Sequence, residues 1–294
     1  MSDWESRVGE WLGQACVAEV SADKPGNVTP AHGFDNVAYQ QFLQSASIVA
    51  PIMATAGTSG VGRTIYKAVA ATRAAVEHNT NLGIVLLLTP LAAVPENIPV
   101  SSGVETVLSA LTIEDAEYAY EAIRAARPGG LGSADEEDVK ETPRRDLRSC
   151  MRLAAKRDMV AAQYANGFSD VLNVCLPLLL NRDESTVQGD HRIGWVATHL
   201  LARYGDSLIR RKCGDQIEMT VRAMAAAVLA AGWPNRTGGD AAYHRLDRFL
   251  RADGNRRNPG TTADLVAATI FVALRNGDGL IDALGNFSFC SKEP

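Results

Sequence analysis

Three short stretches of the chain place carboxylates beside glycine, asparagine and lysine. The first is EVSADKPGNVTPAHGFDN, Glu19–Asn36. Glu19 falls in line with Val8, Leu12 and Ala15 on the apolar face of a helical period. It also falls near the end of that helix, where the macrodipole disfavours an anion by about 0.3–1 kcal/mol. A carboxylate kept there is a candidate general base. Lys24-Pro25-Gly26-Asn27 makes a tight turn that ends a helix and also lets backbone approach a ligand closely. In His32-Gly33-Phe34-Asp35, Asp35 reads either as an N-cap or as a second catalytic carboxylate, and His32 is a candidate proton donor to a leaving group.

The second stretch is His78-Asn79-Thr80-Asn81-Leu82-Gly83. Its bland reading is an Asn-rich turn with a helix cap. Its functional reading is a helix start whose Asn79, Thr80, Asn81 and Gly83 present donors to phosphate. The third is Asn258-Pro259-Gly260-Thr261-Thr262-Ala263-Asp264, followed by LVAATIFVAL. Here Asn258, Gly260, Thr261 and Thr262 are candidate phosphate contacts. Thr261-x-x-Asp264 has the form of a capping box. Asp264 is therefore either a satisfied cap or a carboxylate at the mouth of a central helix, able to hold Mg²⁺ through one or two oxygens, with Asp206 as its candidate companion. Lys24, Arg63, Arg210 and Lys212 are the cations that could meet a polyphosphate, and Arg256-Arg257 sit just before Asn258.

The elements that must position these groups are helical. Trp4, Val8, Trp11, Leu12, Ala15 and Glu19 share one face of period 3.6, as do Ala38, Phe42, Ser45, Val49 and Ile52, and then Val61, Ile65, Ala68, Thr72 and Val76. Further helices are expected over Ile113–Arg127, Leu147–Ala165, Ile193–Tyr204, Ile217–Ala231 and Thr262–Asn276. Alternating strand patterns are scarce. The expectation is an all-α chain of about ten helices, folded as one domain over residues 1–294. Pro128–Arg145, PGGLGSADEEDVKETPRR, interrupts the helices with glycines and an acidic run. Its composition suits a solvated surface loop, or a lid.

Bulk composition narrows the function classes. The chain has 294 residues, is 46% hydrophobic and carries a net charge of −5, which argues against a general nucleic-acid binder. The longest apolar run, Ile84–Val94, is too short to cross a bilayer. The N-terminus carries Asp3 and Glu5 and lacks the apolar core of a signal peptide. The five cysteines, at 16, 150, 175, 213 and 290, are odd in number and show no CxxC spacing. Reduced thiols in a cytoplasmic protein without structural zinc are expected. A homo-oligomer is left open.

Taken in order, these pieces resemble the triphosphoribosyl-dephospho-CoA synthase family, the CitG type. The E-V-S and K-P-G-x-V elements of that family are matched within Glu19–Val28, and its F-x-x-S-A helix resembles Phe42–Ala46. Its H-x-D-like element is similar to His32–Asp35, and its N-T-H-K-G motif to Asn79–Gly83. Its D-T-x-I-x-R-K-x-G segment resembles Asp206–Gly214, and its P-G-G/T-x-A-D-L-x-A ending matches Pro259–Ala267. The resemblance spans residues 12–276. It implies an all-α fold and a transferase for which ATP is a substrate and Mg²⁺ the metal. The ribose of ATP moves from adenine to the 2′-hydroxyl of 3′-dephospho-CoA, keeping its triphosphate. The product is the precursor of a prosthetic group on acyl carrier subunits of citrate or malonate decarboxylating systems.

The chain departs from the pattern in places. The family's histidine and lysine in N-T-H-K-G are Asn81 and Leu82 here, and Thr64, Ile65 and Tyr66 occupy the region of an expected glutamate. The Gly129-Gly130-Leu131-Gly132 loop looks more like the branch found with tetrahydromethanopterin-type C1 metabolism. The alternatives are therefore phosphoribosyl transfer from phosphoribosyl pyrophosphate to a pterin-coenzyme precursor, or a non-catalytic nucleotide-binding relative.

Overall fold

The computed structural model describes residues 1–33, 39–76, 78–180 and 191–277. Among them lie fifteen α-helices and no strand longer than an isolated bridge. They run α1 (Asp3–Ser21), α2 (Tyr39–Met53), α3 (Ala56–Ser59), α4 (Val61–Ala75) and α5 (Leu82–Ala92). Then come α6 (Val100–Ser109), α7 (Ile113–Ala126), α8 (Leu147–Ala154), α9 (Met159–Asn166) and α10 (Leu176–Leu180), the last preceded by a π-helical turn at Val171–Cys175. The chain continues with α11 (Arg192–Tyr204), α12 (Ser207–Cys213), α13 (Asp215–Ala230), α14 (Thr237–Arg251) and α15 (Gly260–Asn276). The class is the expected all-α. The count exceeds ten because α3, α10 and α12 are too short to print a period on the sequence. The single helix expected over Leu147–Ala165 is two, α8 and α9. Asp158 restarts the chain by accepting from the amides of Val160 and Ala161 at 2.9 and 3.1 Å.

α15 is the axis. From Leu265 to Ala273 every residue is buried, as its nearly all-round apolar sequence requires. It packs against α1, α5, α9, α10, α11 and α12. α5 is the second buried rod, with Leu87, Leu88 and Leu91 fully shielded, each contributing about 2 kcal/mol by burial. The C-terminal end of α5 is closed by Arg275 of α15, whose guanidinium donates to the carbonyls of Leu91, Val94 and Pro95 at 2.8–2.9 Å. That supplies donors to carbonyls a helix end leaves unpaired. α1 lays Val8, Leu12 and Ala15 on this core. α4 packs on α7, and Asp115 both completes a capping box with Thr112 and accepts from the Gly62 amide at 2.7 Å, tying the starts of the two helices together. α11 to α14 build a second apolar cluster around Leu201, Val221 and Leu246, and Trp195 packs on both clusters. No helix among the described residues is long and apolar enough to cross a membrane.

Candidate active site

A cavity of about 470 Å³ opens where α1 ends and α5 and α15 begin. Its far wall is made by α7, α8 and α9, and residues 128–139 form its roof. Two buried helices thus aim their N-terminal ends, and the positive pole of the macrodipole, at one space. At α5 the Asn79 side chain accepts from the Leu82 amide at 3.1 Å, and Asn81 is turned inward, donating to Thr72 Oγ1 at 3.2 Å. Thr80 shares a 2.6 Å hydrogen bond with Ser45. The Gly83 amide carries no such bond and remains available. At α15 the N-cap is Pro259, with no side-chain cap.

Asp264 is the fifth residue of α15, just past its first turn, and lines the cavity. It does not act as the cap that its spacing from Thr261 allows. Thr261 accepts from Ser207 at 3.1 Å instead. The Asp264 carboxylate makes no hydrogen bond or ion pair with a described residue, and it lies against α5 at Gly83. A Cβ at residue 83 would come within 1.9 Å of Asp264 Oδ2, so the glycine is what lets the carboxylate sit there. Burial pushes this carboxyl well above the usual carboxylate range, and the nearby charges of Glu19, Asp206 and Asp158 push the same way.

Glu19 is buried at the end of α1 and also lines the cavity. Lys24, with no solvent exposure, folds back behind it. Its ammonium lies 3.2 Å from Glu19 Oε1 and donates to the carbonyls of Glu19 and Ala22. Lys24 therefore caps the C-terminal end of α1 with positive charge, which offsets the unfavourable dipole felt by Glu19. Burial raises the Glu19 carboxyl, and Lys24 draws it part of the way back.

The structure sorts the other residues singled out from the sequence. Asn27, Asn79, Thr80, Asn81, Gly83, Lys212, Asn258, Gly260 and Thr261 line the cavity with Glu19 and Asp264. Lys24, Pro25, Gly26, His32, Arg63, Arg210, Asp206 and Thr262 do not. Gly26 donates to Asp247 at 2.8 Å, and its positive φ lets it close on Leu250. His32 is exposed and bridges to Thr29. Arg63 faces Glu114 and Tyr118 on the outer surface. Arg210 turns to Asp215 and Glu218 of α13. Asp206 has both oxygens committed: Oδ1 accepts from the amides of Leu208 and Ile209, and Oδ2 from the amide and hydroxyl of Thr262. It fastens the starts of α12 and α15 together and has no lone pair turned to the cavity for a metal. Asp35 lies outside the described residues.

Three lining groups escaped the sequence reading. Arg211 pairs with Asp158, and both face the cavity. Arg211 falls on the arginine of the D-T-x-I-x-R-K-x-G segment that Asp206–Gly214 resembles, whereas Asp158 lies inside the single helix expected over Leu147–Ala165. Residues 128–139, read as a solvated loop or a lid, are held down by Tyr120, whose hydroxyl donates to the Glu137 carbonyl at 2.7 Å, and by Arg124, which donates to the Val139 carbonyl at 2.6 Å. Gly130, at φ +71°, rests on Arg211, and Gly129 on Lys212. Nothing in a sequence rich in Gly, Asp and Glu reports such long-range anchors.

Among the described residues no group of three or more His, Cys, Asp and Glu is arranged to hold a metal by itself. An unpartnered Asp264 repelled by Glu19 and Asp158 still suits a cation that takes one protein carboxylate and completes its shell from phosphate and water, as Mg²⁺ does.

The family model described as CitG, ATP:dephospho-CoA triphosphoribosyl transferase, matches residues 5–281. A comparison with curated proteins gives no match. A crystal structure from Archaeoglobus fulgidus, provisionally named as a triphosphoribosyl-dephospho-CoA synthase, superimposes with a TM-score of 0.63 at 23% identity, covering 80% of this chain and 99% of that one. That likeness speaks for the fold, and the family match over almost the whole chain carries the assignment: the chain belongs to the CitG family of ATP:dephospho-CoA triphosphoribosyl transferases.

Proposed function

We propose that this cavity transfers the triphosphoribosyl group of ATP to the 2′-hydroxyl of 3′-dephospho-CoA and releases adenine. The observation that carries the reading is the shared space of Glu19, Asp264, Arg211, Lys212 and the N-terminal ends of α5 and α15. Such an arrangement suits a polyphosphate at one end and a developing sugar cation beside carboxylates. The chemistry breaks the bond from the anomeric carbon to adenine N9 and forms one from that carbon to the acceptor oxygen. The acceptor hydroxyl loses a proton and the departing adenine gains one, so the protons balance.

Each residue has a task. Glu19, its carboxyl raised by burial and oriented by Lys24, takes the proton of the acceptor hydroxyl. Its charge also stabilises the oxocarbenium-like transition state expected of glycosyl transfer. Arg211, held by Asp158, and Lys212, held by Asn258 at 3.0 Å, meet the triphosphate. The Gly83 amide adds a backbone donor at the same end. Asp264 would hold Mg²⁺ against the phosphates, and the bound ion would supply charge neutralisation there. The apolar wall and the roof keep water from competing for the anomeric carbon.

The test is a release assay with ATP, Mg²⁺ and 3′-dephospho-CoA, reading free adenine by chromatography. Adenine that appears only with dephospho-CoA is the expected result. ATP binding without adenine release would overturn the reading.

A further inference from the structure

The roof of the cavity divides into two parts. From Ala134 onward it is tied. The amides of Ala134 and Lys140 donate to Asp138 at 2.7 and 2.8 Å, the Arg144 amide donates to Glu137 at 2.9 Å, and Tyr120 and Arg124 hold the carbonyls of Glu137 and Val139. Upstream, Arg127 closes α7 in the left-handed conformation, with its amide on the Ile123 carbonyl. Between these fixed ends, Gly129, Gly130, Leu131, Gly132 and Ser133 make no hydrogen bond with any described residue. All of them are exposed, so in the free protein water satisfies their amides. The three glycines also line the cavity, and a glycine has only main chain to present there. Gly130 and Gly132 take φ of +71° and +68° on either side of Leu131, which does not. Such an alternation of hand lets successive N–H groups point to one side and form an anion-binding concavity. Directly beneath lie the two cations at the end of α12. A Cβ added to Gly129 would stand 3.2 Å from Lys212 Cε, and one added to Gly130 would stand 3.2 Å from Arg211 Cβ.

We infer that Gly129–Ser133 is an anion-binding flap, which folds onto a polyphosphate held by Arg211 and Lys212 and donates its main-chain amides to the phosphate oxygens. The inference rests on the reading that this end of the cavity takes the triphosphate, and it adds the element that closes over it. Main-chain donors above and two cations below call for the same ligand chemistry, an anion rich in acceptor oxygens. An uncharged ring would leave the cations unused. The glycines serve twice. They place no side chain between the flap and the cations, and they reach positive φ without strain. The tied part of the roof keeps its bonds, so the movement is confined between Arg127 and Ala134.

Hydrogen–deuterium exchange resolved along residues 128–140 reads these amides directly. In the free protein those of residues 129–133 should exchange as fast as an unstructured chain. Saturating inorganic tripolyphosphate should slow them by at least about tenfold, and adenosine should not. Ala134 and Lys140, already bonded to Asp138, should keep their rates. Gly132→Ala is the companion variant. Its methyl enters open space, so it penalises only the positive φ. The untied free segment can relax out of that conformation and the bound flap cannot, so the Kd of tripolyphosphate should rise about five- to thirtyfold with the ligand-free Tm unchanged. Tripolyphosphate that binds by calorimetry without slowing residues 129–133 overturns the inference and leaves the ribosyl-transfer reading standing. Equal slowing by adenosine, or an unchanged Kd in Gly132→Ala, also overturns it. If neither tripolyphosphate nor Mg-ATP binds, the polyphosphate end and its flap are removed together. Slowing by tripolyphosphate in protein that releases no adenine would keep the flap and fail the transfer reading alone.

Discussion

At the scale of single residues, Asp264 sets stability against function. It is half-buried and without a partner among the described residues, beside other carboxylates, and its carboxyl is raised well above the ordinary range. A carboxyl raised on folding stabilises the native state fully below its unfolded value and loses that contribution as pH rises through the folded one. The ligand-free protein should therefore lose stability as pH climbs from about 4, where a free Asp titrates, toward neutrality. Asp264→Asn removes that loss. Its expected signature is a higher Tm at neutral pH, about 2–4 °C for each kcal/mol gained, with the gap to wild type closing at pH 4 and with adenine release abolished. A lower Tm at neutral pH would mean that the carboxylate is structurally satisfied. Gly83→Ala attacks the same atom from α5. The added methyl meets Asp264 Oδ2, so turnover should fall by at least about tenfold while the helical circular dichroism stays unchanged. Glu19 carries the third expectation at this scale. Glu19→Gln keeps a hydrogen-bond acceptor for Lys24 but cannot take a proton, and should lower kcat by about 10²–10⁴.

Helices that only meet through buried polar groups carry the site's geometry. Asp206 joins the first turns of α12 and α15 through four hydrogen bonds of 2.8–3.0 Å. Asp206→Ala leaves three amides and a hydroxyl unpaired, and should cost about 2–4 kcal/mol in urea unfolding. It should also raise the KM of ATP, because the start of α15 and the cations at the end of α12 would no longer be held in register. Normal stability with weak ATP binding would instead place Asp206 in direct contact with the nucleotide. The same scale shows what a linear reading can recover. Long helices such as α1, α11 and α15 print their period, so their faces and approximate ends are visible in the sequence. Glu19 is visible for the same reason, as a charge on an apolar stripe. In α12, three consecutive cations sit at 100° steps over barely two turns. Arg211 and Lys212 reach the cavity and Arg210 turns to α13, and seven residues are too few to show that phase. The roof is hidden differently: its composition reports solvation, while its anchors, Tyr120 and Arg124, lie on another element.

The whole molecule is acidic, with a net charge of −5, yet it concentrates Arg211, Lys212 and two helix N-termini at one end of one cavity. A polyanion gains there what the remaining surface denies it. Binding to that end should hold together α5 and α15 from the core, α12 from the second cluster, and the roof through its glycines. Any ligand selective for the native state stabilises it by mass action, so Mg-ATP at a hundred times its Kd should add about 2.7 kcal/mol. The gain should shrink in the presence of EDTA, since Asp264 and Glu19 then face the phosphates without an intervening cation. It should also shrink in Arg211→Gln, which strips charge from the polyphosphate end and frees Asp158. The melting curve of ligand-free Arg211→Gln separates the two effects. If the variant melts like wild type without ATP but fails to gain with it, Arg211 acts on the ligand. If it already melts lower and gains as much as wild type, Arg211 serves only to join α12 to α9, and the triphosphate is held by Lys212 and the helix N-termini alone.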